Sequence, residues 1–128
     1  MQTEKVYQIE GGCPLNGEVA IGGAKNAIGK QLVASILTEE PCLFTNVPRI
    51  TEIEAILDML AEIGTRAEWR DAHTLELQTP RITSTVVGQR YSGFNRIPIL
   101  LLAPLLHRAR EVRVPVVDRK STRLNSSH

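Results

Sequence analysis

The chain has 128 residues, with 15 Lys or Arg against 14 Asp or Glu and a formal net charge of +1. So balanced a charge offers no electrostatic footprint for nucleic acid or a membrane surface. Cys13 and Cys42 lack metal-ligand spacing and suggest no disulfide framework, and the longest apolar run, Ile97 to Leu106, holds two prolines and is far too short to span a bilayer.

In chain order, Val6–Ile9 predicts a short strand ended by Gly11, Gly12 and Pro14. Glu18–Ile21 predicts a second, because Val19 and Ile21 alternate with polar or small neighbours. From Ile28 the apolar spacing turns helical through Leu32, Val33 and Ile36, giving a first helix over Ala27–Leu37. Cys42–Thr45 predicts a third strand, closed by Asn46 and Pro48. Thr51-Glu52-Ile53-Glu54 has the pattern of a capping box and opens a helix whose apolar face is Ile53, Ile56, Leu57, Leu60 and Ile63. Gly64 suits the position just beyond its C-terminus.

Arg66–Trp69 and Thr74–Gln78 predict a hairpin around Arg70-Asp71-Ala72-His73, and residues 79–91 a surface connection. A third helix is expected over Phe94–Arg108, with Pro98 near its start and Pro104 kinking it, and a strand over Val112–Val116. Leu32–Pro48 and Ile99–Pro115 share a shape: apolar helix, polar break, strand, Val-Pro. The clustered Arg108, Arg110 and Arg113 fit a helix end and a solvated strand face.

Residues 118–128 have no apolar periodicity and match the in-frame translation of a common sequencing-library adapter. The expected domain is therefore 1–117, with 118–128 a non-native tail. That tail carries three basic residues and one acidic, so without it the charge falls from +1 to −1. With no secretory signal before Val6, a soluble cytoplasmic protein is expected.

Gly22-Gly23-Ala24-Lys25-Asn26-Ala27 is the stretch with chemistry in it. Glycines permit a tight turn, and a helix start offers unpaired N–H groups and the positive end of a dipole beside a lysine ammonium. Such a turn suits an anion, and a solvated lysine at a helix start is the plain alternative. His73 and His107 lack acid–base partners nearby in sequence and read as a loop and a helix-end histidine.

Leu15-Asn16-Gly17-Glu18-Val19, Gly23-Ala24-Lys25-Asn26-Ala27, Glu39-Glu40-Pro41, Asn46-Val47-Pro48-Arg49 and Gly64 follow in one order. With them the chain, from about Val6 to Val117, resembles the amino-terminal quarter of the enolpyruvyl transferases, in their UDP-N-acetylglucosamine 1-carboxyvinyltransferase branch. The resemblance implies an α/β fold, part of an inside-out α/β barrel domain built from repeated units with helices inside. It implies transfer of enolpyruvyl from phosphoenolpyruvate to a sugar-nucleotide hydroxyl in peptidoglycan precursor synthesis, by a monomer without metal or cofactor. Lys25 and Asn26 would contact phosphoenolpyruvate, and Arg96 the UDP-N-acetylglucosamine. The general acid, a cysteine or aspartate, would lie on a loop beyond Val117, so no catalytic residue is assigned here and the fragment itself would be inactive. Gly11-Gly12-Cys13 is not that loop; Cys13 reads as a small buried or turn residue.

Two departures qualify the match. The family usually reads Lys-Asn-Ala-Ala-Leu-Pro, whereas Ala27-Ile28-Gly29-Lys30-Gln31 follows Asn26 here. Lys30 stands where the sister enzyme, 3-phosphoshikimate 1-carboxyvinyltransferase, carries an arginine, which raises the idea that it also faces substrate. On a helix, though, it lies about 140° round from Lys25, so a solvated Lys30 is the preferred reading. Alternatives for the whole chain are that sister activity or a non-catalytic α/β scaffold.

Overall fold

The computed structural model describes residues 4–91 and 96–115. Its elements are α1 (Lys25–Ala34), continued by a 3₁₀ turn at Ser35–Leu37; β1 (Cys42–Phe44); α2 (Thr51–Glu62); β2 (Arg66–Trp69); and β3 (Leu75–Gln78). A 3₁₀ turn at Gln89–Tyr91, then α3 (Ile97–Leu100) and α4 (Leu102–Arg108), complete them.

β3 is the middle strand of a three-stranded antiparallel sheet ordered β1-β3-β2. It pairs Leu43 with Glu76 on one side and Glu68 with Glu76 on the other. Its alternation sends Leu75 and Leu77 into the core, both fully buried, while Glu76 and Gln78 stay half-buried. The hairpin forms as expected: Arg70 N–H donates to the Thr74 carbonyl at 2.8 Å, and Asp71 Oδ1 accepts from the His73 amide at 2.9 Å. Hydrogen bonds from the His73 amide and the Thr74 hydroxyl hold the Asp71 carboxyl below its ordinary pKa. His73 also ties the hairpin to the β1–α2 loop, exchanging a 2.8 Å backbone bond with Val47 and setting Nδ1 3.0 Å from the Val47 carbonyl.

The helices pack against this sheet through the faces their spacing predicts. Ile28, Leu32, Val33 and Ile36 on the first, and Ile53, Ile56, Leu57, Leu60 and Ile63 on the second, are all buried, and Leu101 and Leu105 close the core. α2 ends in a Schellman arrangement, with Thr65 N–H donating to the Leu60 carbonyl and Gly64 N–H to that of Ala61. Gly64 has φ 115°, and a Cβ there would run into the Arg81 carbonyl oxygen, so glycine is required twice over.

Several expectations need correction. Residues 6–9 and 18–21 form no strand; Val6, Ile9, Val19 and Ile21 are exposed, because no other described segment pairs with them. Cys13 is exposed, so the buried alternative of its reading as a buried or turn residue does not hold. The first helix starts two residues earlier, so Lys25 and Asn26 lie in its first turn, and its last turn tightens to 3₁₀. Thr51 does not cap α2: Ile50 is the N-cap residue and no side chain caps the helix, while Glu54 pairs with Arg49 at 3.4 Å.

Residues 79–91 are no plain surface connection. Thr79 is fully buried, its hydroxyl 2.8 Å from that of Thr65, and Val87 and Tyr91 join the core. The expected third helix is split at Leu101. Pro104 has no N–H for the Leu100 carbonyl, so the helical ladder fails one turn upstream of the proline. Phe94, at the expected start of that helix, and Val116, at the expected end of the last strand, lie outside the described residues. Within them that strand reduces to one parallel bridge between Val86 and Arg113. The helix-then-extended shape thus recurs after α4, as a bridge where β1 is a strand.

Candidate functional site

Two glycine-containing segments build the site. A Cβ on Gly23 would run into the Asn46 carbonyl oxygen and stand 2.9 Å from Pro48 Cδ, so only glycine lets the chain lie so close to the β1–α2 loop. Asn46 answers from the other side: it takes φ 57°, and its Nδ2 donates to the Ile21 carbonyl at 3.1 Å. The segment before α1 is thereby pinned at the point where Lys25 opens the helix. Ala24 is the N-cap residue and offers no capping side chain, and Ile28 N–H donates to its carbonyl at 3.0 Å.

Beside that start lies a cleft of about 230 Å³. Lys25, Asn26, Gly29 and Lys30 line it from α1, Glu52 and Ile56 from α2, and Ile97 and Leu100 from α3, with Arg96 just before α3. Lys25, Asn26 and Arg96 thus border one cavity although α2 and the whole sheet separate them in sequence. Lys30 is exposed, as expected, but it also lines this cleft. Angular separation from Lys25 was the wrong comparison; Asn26 and Lys30 are four residues apart and share a face.

Three cations and one carboxylate border the cavity. Lys25 Nζ lies 3.4 Å from Glu52 Oε1, both side chains well exposed, a pair worth less than about 1 kcal/mol. Among the described residues no carboxylate pairs with Lys30 or Arg96. The site therefore carries excess positive charge over an apolar floor of Ile56, Ile97 and Leu100, an arrangement suited to a multiply charged anion. Among the described residues no group of His, Cys, Asp and Glu is arranged to hold a metal ion.

Arg108 ends α4, as expected, and its side chain folds back onto the body of the chain. Its side chain is 12% exposed, and Nη1 donates to the carbonyls of Ile36 at 3.0 Å and Thr79 at 2.7 Å. It ties the end of α4 to the end of the first helix and to the segment just after β3. Position alone does not reveal this, since the acceptors are backbone atoms of two distant segments. Arg110 and Arg113 are exposed, as expected. His107 is exposed at the end of α4, outside the cleft. Glu52 and Gly29 escaped the sequence reading as site residues; the only signal for Gly29 was its departure from the usual motif.

Helices packed on an antiparallel sheet, with a cationic cleft at the start of α1, match a known architecture. The family model described as EPSP synthase (3-phosphoshikimate 1-carboxyvinyltransferase) matches residues 9–117, and the chain belongs to that family. Within it the chain is 44% identical over 112 residues to a UDP-N-acetylglucosamine 1-carboxyvinyltransferase of Protochlamydia amoebophila, covering 86% of this chain and 24% of that protein. Proteins of the same name from Chlamydia pneumoniae (43% over 115 residues, 88% and 25% covered) and Thermus thermophilus (41% over 114 residues, 89% and 27%) are similarly related. The fold resembles that of the enolpyruvyl transferase NikO from Streptomyces tendae, with a TM-score of 0.62 at 21% identity, covering 73% of this chain and 22% of the other. The chain spans about a quarter of the length of these relatives. No helix among the described residues is long and apolar enough to cross a membrane.

Proposed function

We propose that this chain is the amino-terminal part of a transferase moving enolpyruvyl from phosphoenolpyruvate to the 3′-hydroxyl of UDP-N-acetylglucosamine, for peptidoglycan precursor synthesis in the cytoplasm. The observation that carries it is the cleft shared by Lys25, Asn26 and Arg96. The hydroxyl oxygen adds to C2 of phosphoenolpyruvate while a proton goes to C3. Loss of that C3 position's proton and cleavage of the C2–O bond to phosphate then leave the enol ether and inorganic phosphate. Both substrates are dense in negative charge, and neutralising and aligning them is the task this cleft is suited to.

In this reading the Lys25 ammonium pairs with anionic oxygens of phosphoenolpyruvate and Asn26 orients it by hydrogen bonds. Arg96, across the cleft, engages the sugar nucleotide. Glu52 holds Lys25 until an anion competes for it. The names of the relatives at 41–44% identity favour UDP-N-acetylglucosamine over shikimate 3-phosphate as acceptor. Residues 118–128, beyond the end of the family match at 117, are read as a non-native tail.

The test is phosphate release from phosphoenolpyruvate with each acceptor. The full-length protein is expected to turn over with UDP-N-acetylglucosamine alone, and residues 1–117 by themselves with neither. Turnover only with shikimate 3-phosphate would move the assignment to the sister activity. Unchanged affinity in both Lys25→Ala and Arg96→Ala would favour a scaffold.

A further inference from the structure

Gly29 is buried at the floor of the cleft, in mid-helix, between the residues that line its α1 wall. Glycine is the poorest helix former after proline, so any ordinary side chain at this position would favour α1. The space around it is tight. A Cβ on Gly29 would stand 3.2 Å from Ile97 Cδ1 and 3.4 Å from Ile56 Cδ1. Ile97 opens α3 directly after Arg96, and Ile56 belongs to α2, so three helices meet at the hydrogen atoms of this one residue.

The two sides of the cleft are thus separated by the depth to which Ile97 nests on α1. Lys25 and Asn26 ride on α1, and Arg96 immediately precedes Ile97. We propose that Gly29 is a positioning residue: by admitting Ile97 against α1, it sets the span between the Lys25–Asn26 pair and Arg96. This rests on reading the cleft as the substrate site. Binding two anionic substrates across one cleft in reacting distance demands a fixed span, and small displacements of a positioning group are costly.

Gly29→Ala is the informative variant, because it adds a wedge of one methyl while improving helix propensity. In the full-length protein we expect KM for UDP-N-acetylglucosamine to rise about three- to tenfold, with thermal stability unchanged or increased. Ile97→Val, which removes the Cδ1 methyl, should return KM to within about twofold of wild type when combined with Gly29→Ala. Unchanged KM in Gly29→Ala, or a double variant no better than the single, would overturn the proposal.

A second readout needs no turnover. The Ile97 Cδ1 methyl resonance should shift in Gly29→Ala, and an unshifted resonance overturns the positioning role even where the enzyme is active. A wild type that turns over neither acceptor overturns the substrate reading instead, and the methyl resonance still decides the contact.

Discussion

Val19 and Ile21 alternate with small or polar residues as regularly as Leu75 and Leu77 do, yet the first pair is 84% and 81% exposed and the second fully buried. Period-two spacing states which side of a strand needs cover. It does not state whether the cover is present. Leu75 and Leu77 find β1 and β2 on either side and helices above, whereas residues 4–23 find no strand among the described residues. A pattern is a request for a partner, and only the assembled chain answers it.

That contrast can be broken at graded cost. Leu60→Ala, in the last turn of α2 with no exposed surface, should lose about 2–5 kcal/mol in urea unfolding, whereas Val19→Ala should stay within about 0.5 kcal/mol. A comparable loss at Val19 would mean that the exposed segment packs in solution. Arg108→Met keeps the stem but abandons the carbonyls of Ile36 and Thr79, and about 1.5–3 kcal/mol should go by the same measurement. Gly64→Ala should cost about 1–3 kcal/mol, since it meets both a positive φ and the Arg81 carbonyl.

Glu52→Gln frees Lys25 from an exposed partner, so it should leave stability nearly unchanged and, on the function proposed above, tighten phosphoenolpyruvate binding by the full-length protein in calorimetry. Asp71 gives the smallest effect. Its folded pKa is depressed, so its contribution to the hairpin is present above the ordinary carboxylate pKa and lost as pH falls through the lower folded value. The His73 amide resonance should report that titration below the usual aspartate range, and Asp71→Ala should abolish it.

What could be read from the sequence followed the range of each interaction. The face of α2 and its glycine stop were legible because helical period and C-terminal geometry are local. The split at Leu101 was half legible: Pro104 announced a defect, but the break falls a turn earlier, where the orphaned carbonyl lies. The grouping of Lys25, Asn26 and Arg96 followed from resemblance, and no spacing argument joins residues so far apart. Thr51 misled because a T-x-x-E pattern fits two registers, and here Ile50 takes the cap position. Gly29 stood out only as a mismatch, since the Ile97 methyl it lies against belongs to another helix.

Arg108 adds a dimension of time. A ribosome emits the chain from its amino terminus, so α1, α2 and the hairpin are all synthesised before the one side chain that fastens Ile36 and Thr79 together. Until the end of α4 clears the exit tunnel, those carbonyls lack this donor. The early helices and the sheet can collapse beforehand, but the link between these two segments waits for this arginine, so vectorial synthesis delays it.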